Sequence, residues 1–430
     1  MKRSPYKISR ILSLFTILLL SQVAISQISI ERFEIPTTSD SITKIMEDKV
    51  TGRIIRIFTN FDKTHLTKYT YVKGVPSFKS GFILEDGQRI ELPLNEYIEC
   101  IRNNFIITSN GNIIEYKTVF TLCKLEENSN KFYLSVIDTL ISNGDCSMAS
   151  FLNNDRIMIQ ESQEGGVETK IQFYDLNLSF MNEITPYTER NVTGSSYVIK
   201  GDSLYYSVEP DQYDENGLPH AKILLINILT GKCIKEKNIE KLDHGLEITI
   251  CENRLIGYYY DKILGYDLNM NILWEKTGLI PTEFTFIKGG KVLMIIYTAG
   301  KLNCISGLCI NEGELLWQKS IIDFLQSKTV GCNSDKDYLL RIFKMKEYIG
   351  QKTVSLVAGG YLADNKRITN KPIICNPEII TLDYSGELLS DFPIVINENT
   401  PVIFSLFGDE NKVQVNSDQG IIRINLYENK

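Results

Sequence analysis

Two tandem copies of one unit constrain this chain more than any other feature. The first is LEITICENRLIGYYYDKILGYDLNMNILWEK (Leu246–Lys276) and the second is FTFIKGGKVLMIIYTAGKLNCISGLCINEGELLWQK (Phe284–Lys319). Each holds four short apolar runs rich in Val, Ile, Tyr and Phe, separated by Asn, Asp and Gly, and each fourth run carries a Leu-Trp. Such runs are strand signals. Asn and Gly accept the backbone of tight hairpins, so the strands are expected to be antiparallel neighbours. One four-stranded sheet of this size cannot bury both faces alone, whereas stacked copies can.

Two turn series carry the unit along the chain. One lies between first and second strands: Asn103-Asn104, Asn154-Asp155, Gly201-Asp202, Glu252-Asn253, Gly289-Gly290, Ser334-Asp335 and Asp409-Glu410. The other leads into the fourth strand: Asp86-Gly87, Ser129-Asn130, Leu178-Ser179, Thr230-Gly231, Met270-Asn271, Glu312-Gly313 and Ser385-Gly386. Both keep one phase at roughly 40–55 residues, the spacing of four-stranded propeller blades, until an insertion lengthens the last repeat. The reading is an all-β chain forming a single β-propeller over 27–430.

Units are expected at 43–94, 97–139, 146–185, 193–240, 244–277, 283–321 and 328–394. In the first of them strands are expected at Arg53–Phe58, Thr67–Val72, Phe82–Leu84 and Arg89–Leu92, after a turn over 37–42. The tail holds three strands and residues 27–36 make one more, so the N-terminal strand is expected to complete the last blade and remove open edges. This gives eight blades, or seven if 43–94 is irregular. No helical period appears after the first 26 residues.

Those 26 residues read as a signal peptide. Lys2, Arg3, Lys7 and Arg10 precede the apolar stretch Ile11–Ile25, with Ala24-Ile25-Ser26 as the cleavage site. Export to a periplasm or the exterior is expected, without lipid attachment, since the first cysteine is Cys100. No later segment reads as a membrane span. Cleavage removes four basic residues and no acidic ones, so the formal charge of −7 becomes −11. That balance, with no basic cluster, argues against nucleic acid and anionic membranes as partners. The nine cysteines contain no Cys-x-x-Cys, which removes the zinc-ribbon and thioredoxin readings. Cys123 and Cys251 sit in apolar runs and read as small buried hydrophobes, while Cys304 and Cys309 are the nearest pair should a disulfide form.

A search for chemistry returns little. His65, His220 and His244 lie in expected loops without partners at metal spacing, and no nucleophile elbow, phosphate loop or dinucleotide fingerprint occurs. Lys288-Gly289-Gly290-Lys291 lacks the helix a phosphate cradle needs and reads as a hairpin turn. In the insertion Glu209–His220, Asp211, Asp214 and Asn216 only faintly match a calcium loop: the spacing departs and the closing Glu is missing. A solvated hairpin tip is the expectation, and no cofactor is predicted. Tyr205-Tyr206 and Tyr258-Tyr259-Tyr260 read as packing between blades rather than sugar platforms. The insertion Met345–Lys371 is the candidate interaction loop, for Tyr348, Tyr361, Lys366, Arg367 and Lys371 combine aromatic and cationic anchors.

Leu225-Ile226-Asn227-Ile228-Leu229-Thr230-Gly231-Lys232 resembles the repeat of pyrroloquinoline-quinone-type propellers, in which Asp or Asn leads into Thr-Gly-Lys and an apolar strand ending in Trp. Asp267 through Trp274, Asn311 through Trp317, and Asp383 through Glu387 are similar. The resemblance covers about four blades. It departs from the dehydrogenases of that superfamily: only two Trp occur, no cysteines are adjacent, and no catalytic carboxylate set matches. It therefore implies the architecture and the non-catalytic branch. The expectation is an exported, monomeric scaffold that binds a protein of the cell envelope or exterior, takes no nucleic acid and is not an enzyme; the alternative is a propeller enzyme or a glycan or quinone binder using the central channel.

Overall fold

The computed structural model describes Ser29–Phe33 and, between 42 and 425, all residues except 62–77, 113–116, 143–145, 154, 163–168, 185–193, 209–219, 241–245, 252, 260–261, 280, 288–291, 300–301, 325–338, 349–352, 363–372, 394–404, 408–411 and 418–419. Among the described residues the elements are strands and one 3-10 turn at Ile321–Asp323. They form eight four-stranded antiparallel sheets.

The first sheet is Ile42–Glu47, Ile54–Phe61, Phe78–Ile83 and Arg89–Glu91. The second is Tyr97–Arg102, Phe105–Asn112, Lys117–Asn128 and Lys131–Ser142, and the third is Cys146–Phe151, Arg156–Ser162, Thr169–Asp175 and Phe180–Ile184. The fourth is Gly194–Lys200, Ser203–Val208, His220–Asn227 and Lys232–Glu240; the fifth is Glu247–Cys251, Arg254–Tyr259, Lys262–Asp267 and Ile272–Thr277. The sixth is Pro281–Ile287, Val292–Ala299, Leu302–Cys309 and Leu315–Ser320; the seventh is Leu339–Tyr348, Thr353–Leu362, Ile373–Asp383 and Leu388–Pro393. In the eighth, Ser405–Phe407, Lys412–Ser417 and Gly420–Asn425 are joined by Ser29–Phe33, which pairs antiparallel with Gly420–Asn425.

Successive sheets stack face to face like propeller blades, and the hydrophobic core is divided among the seams. In the sixth sheet Leu293 and Ile295 enter the seam with the fifth, beside Ile256 and Ile263. Met294, between them, enters the seam with the seventh, beside Val354 and Leu356. Both faces of the strand are buried, so its sequence is a continuous apolar run rather than an alternation. Tyr205 and Tyr206 divide in the same way: Tyr206 packs with Met158 and Phe173 of the third sheet, Tyr205 with Leu255 and Tyr266 of the fifth. Tyr205 donates its hydroxyl to the Leu268 carbonyl at 2.8 Å, and Tyr206 accepts from Gln160 Nε2 at 3.1 Å. Both serve packing.

Three expectations are corrected. The first sheet begins at Ile42, where a turn was expected. A register shift between Ile42 and Lys44 spaces the buried Ile42 and Ile45 three apart, which hides the period of two; the strand expected at Thr67–Val72 lies outside the described residues. The segment Met345–Lys371 is not one loop, since its residues through Leu362 belong largely to the first two strands of the seventh sheet. Cys304 and Cys309 are both free and sit an odd number of residues apart on one strand, hence on opposite faces. Cys123 and Cys251 are buried, as the small-hydrophobe reading expects, and burial pushes the Cys123 thiol up to about 11.

The seam between the first two sheets is pinned by Asp48, which is fully buried. Its Oδ1 accepts from Val50 N at 3.0 Å and Asn103 N at 2.8 Å, and its Oδ2 from Asn104 N at 2.7 Å. Burial pulls the carboxyl pKa upward, but the backbone N–H groups of Asn104, Val50 and Asn103 outweigh it and hold it below the usual carboxylate range. A folded pKa below the unfolded one means this stabilisation is complete above the unfolded value, near about 3.9, and is lost as pH falls through the folded value. Asp48→Asn turns an amide donor toward backbone donors, and is expected to cost about 3 kcal/mol at pH 7. Urea melts of both proteins check it: the difference between them should shrink below about pH 4, and a pH-independent difference would sink the assignment.

Candidate interaction surface

In the first, third, fourth, fifth and seventh sheets the turn into the fourth strand is built by a side chain that accepts from its own backbone. Asp175 Oδ1 accepts from Asn177 N at 2.8 Å and Ser179 N at 2.9 Å; Asp267 Oδ1 from Asn269 N at 2.9 Å and Asn271 N at 2.8 Å. Asp383 Oδ1 accepts from Ser385 N at 2.9 Å and Glu387 N at 2.8 Å. Burial pulls both carboxyls upward, but the hydrogen bonds together outweigh it and hold Asp267 and Asp383 below the usual carboxylate pKa. The sequence's Asp-x-Asn and Asp-x-Ser signals are thus Asx-type turns.

Beyond the turn, six consecutive sheets carry the same defect. The register shifts by one residue in the second through seventh sheets, leaving Ile137, Met181, Ile234, Leu273, Leu316 and Leu389 unpaired. Each is a β-bulge on an outermost strand. Bulges there stop an edge from pairing with foreign strands. Edge protection alone calls for a charged or small residue, yet all six are large and apolar, and their exposure runs from 38% at Ile137 to 58% at Ile234. The residue before each is exposed as well: Val136, Phe180, Cys233, Ile272, Leu315 and Leu388. The outer wall therefore presents a recurring apolar pair from sheet to sheet.

In the third through sixth sheets the residue after the bulge turns back to clamp the next sheet. Trp274 packs against Gly265 of its own sheet and Gly313 of the next, and donates Nε1–H to the Ile310 carbonyl at 2.8 Å. Asn182 holds the same register position in the third sheet and donates Nδ2–H to the Ile228 and Leu229 carbonyls at 2.9 and 3.0 Å. Lys235 does so in the fourth, its Nζ reaching the Asn269 carbonyl at 2.5 Å. Alternating directions therefore give the outer strand two roles, one residue fastening the next sheet and its neighbour facing outward.

Of the sequence-predicted contact, only the two tyrosines fall in described strands. Tyr348 pairs with Thr353 and Tyr361 with Leu339, so the two tyrosines occupy opposite ends of one strand pair. Lys366, Arg367 and Lys371 lie outside the described residues, as do Asp211, Asp214, Asn216, His65, His244 and the Lys288–Lys291 turn. His220 opens a strand opposite Glu240. Among the described residues no group of three or more His, Cys, Asp or Glu could hold a metal ion, and no helix is long and apolar enough to cross a membrane. The bulge series was missed because adjacent apolar residues read as core; their signal was two such residues in a row, as in Phe180-Met181 and Leu388-Leu389, on the last strand of a unit.

No protein-family model matches the chain, and no curated protein does. Among solved structures it is similar to BamB from Moraxella catarrhalis, at 10% identity over 92% of this chain and 99% of that one, with a TM-score of 0.46. It is similar to Hsv2p of Kluyveromyces lactis, at 8% identity over 73% and 85% of the two chains, TM-score 0.41. It is also similar to the dihydro-heme d1 dehydrogenase NirN in complex with DHE, at 10% identity over 90% and 72%, TM-score 0.48. These are likenesses of fold, and the reading that follows rests on the chain's own residues.

Proposed function

We propose that the eight sheets close into one eight-bladed ring of the quinoprotein-like, non-catalytic type, exported after loss of residues 1–26, and that it is a scaffold holding a protein partner of the cell envelope or exterior against its outer wall. The observation that carries the reading is the exposed aliphatic residue at six successive bulges. A run of exposed apolar side chains on a soluble domain marks a surface that something covers. Repetition sets these residues at one height around the ring. A bilayer suits them poorly, because Asp175, Asp267, Glu312, Asp383 and Glu387 stand in the adjoining turns and would meet an anionic surface first. A protein partner satisfies both the apolar wall and the acidic rim. Lys366, Arg367 and Lys371, with Tyr348 and Tyr361, remain a second proposed contact on the seventh blade.

The test is crosslinking in the native cells from a photoreactive residue at position 316, with Leu273→Lys as the disabling variant. One crosslinked protein is expected, lost in the variant, while the variant's stability stays within about 0.5 kcal/mol of the parent. Capture that persists in Leu273→Lys, or no specific capture by the folded protein, would reject the outer wall as the binding surface.

A further inference from the structure

A cavity of about 320 Å³ opens at the seam of the first and second sheets, between the turns that follow Asp48 and Leu84 and the ring of Phe132. Arg53 lines it and is held in place from two sides. Its Nε–H donates to Asn104 Oδ1 at 3.2 Å, and its guanidinium stacks over Phe132 at 4.3 Å from the ring centroid. Phe132 is itself fixed, its N–H donating to Gln88 Oε1 at 2.8 Å and its carbonyl accepting from Gln88 Nε2. Immobilising an arginine on one edge and one face prepares its terminal nitrogens for a planar anion.

Among the described residues no carboxylate answers the charge of Arg53. At the matching position of the third sheet, Arg156 Nη1 meets the Asp202 carboxylate at 3.1 Å. Arg53 meets a neutral amide instead, and no carboxylate pairs with it among the described residues. The rest of the cavity is not uniformly basic. Leu84 and Phe132 give it an apolar side, and Glu85 and Asp86 stand exposed on its wall. Asp86 spends Oδ1 on the N–H of Gln88 at 2.9 Å. A cationic fork, a carboxylate turn and an apolar surface around one small space match a compact zwitterion.

We infer that this cavity binds a small zwitterion of the α-amino-acid type, its carboxylate on Arg53, its ammonium toward Asp86 and an apolar side chain against Leu84 and Phe132. The site is separate from the outer wall, so its failure would leave the scaffold reading standing. The test is calorimetry or chemical-shift titration of the full chain with L-leucine, beside isocaproate, which lacks the ammonium, and isoamylamine, which lacks the carboxylate. Leucine is expected to bind with millimolar affinity and the two analogues at least about tenfold more weakly. Arg53→Gln and Asp86→Asn are each expected to weaken leucine about tenfold, whereas Arg156→Gln, which disturbs the matching contact two sheets away, leaves it unchanged. Asp86 is an exposed turn residue, so its variant decides the matter even where Arg53→Gln loosens the seam. No leucine binding, equal binding of isocaproate, or binding insensitive to Asp86→Asn would overturn the assignment.

Discussion

Trp274→Ala is expected to cost about 3–5 kcal/mol, the range for emptying a large aromatic site. The indole is nearly buried and joins Ile256 and Ile263 of its own sheet to Leu293 and Ile310 of the next. Two glycines make room for it. A Cβ at Gly265 would stand 2.2 Å from Trp274 Cε2, and one at Gly313 would stand 2.6 Å from Cε3. Gly313 also has φ +69, a left-handed conformation that costs other residues extra. Trp317 repeats the arrangement between Gly307 and Gly386, but its Nε1 finds no acceptor among the described residues. Trp317→Ala should therefore cost about 1 kcal/mol less than Trp274→Ala, by the missing hydrogen bond.

The sharper form of this prediction is a double-mutant cycle. Gly265→Ala should destabilise the parent strongly, because the indole ring is rigid and cannot retreat from the new methyl. In a Trp274→Ala background the methyl enters space already vacated. The two changes should fall short of additivity by about 1–3 kcal/mol, a coupling expected only of groups in direct contact. Urea melts of the four proteins give the answer, and additive losses would mean that the clamp is not where the structure puts it.

The clamp also shows where sequence reasoning stops. The strand units were legible because their hairpins use residues with a mechanism: Asp267 and Asp383 bind the backbone of their own turns, and Gly231, Gly313 and Gly386 adopt positive φ. Successive units kept phase, so unit boundaries could be placed from the third to the sixth sheet. Two kinds of feature escaped. Bulges break the period of two, which hid the strand at Ile42–Glu47 and made the exposed residues of the outer strands look like core. Equivalent positions also hold unlike residues. Two tryptophans looked too few for a repeat built on them, yet Asn182 and Lys235 hold the same register position and reach the same carbonyl-lined turn. An amide, an ammonium and an indole share only an N–H donor at the right height, and no single-residue pattern records that. The seventh sheet was misread for a third reason: in Leu339–Leu362 the strand pair continues through Gly359-Gly360, and a glycine pair reads as flexible loop.

Deleting residues 27–36 is expected to have the largest effect on the whole molecule. Ser29–Phe33 matches five residues of Gly420–Asn425, from Ser29 with Asn425 to Phe33 with Ile421. At about 1 kcal/mol net for each hydrogen bond, losing this strand costs about 5 kcal/mol before any side chain is considered. The faces on either side show why the eighth sheet must stay whole. Val357 and Ile379 are buried on the side of the seventh sheet that points away from the sixth. Ile42, Ile54, Phe58 and Ile83 are buried on the side of the first sheet that points away from the second, and Arg56 shares that side by its pairing with Ile45 and Ile83. In a closed ring the eighth sheet covers both. The deletion leaves Gly420–Asn425 as a bare edge, which invites pairing between molecules. The expected outcome is a lower midpoint in thermal melts together with concentration-dependent association. A synthetic peptide of residues 27–36 added in trans should reverse both, since it restores the pairing without restoring the covalent link. A deletion protein that stays monomeric and melts like the parent would mean that the first and seventh sheets are not held together through this strand, and the eight-bladed ring would have to be abandoned.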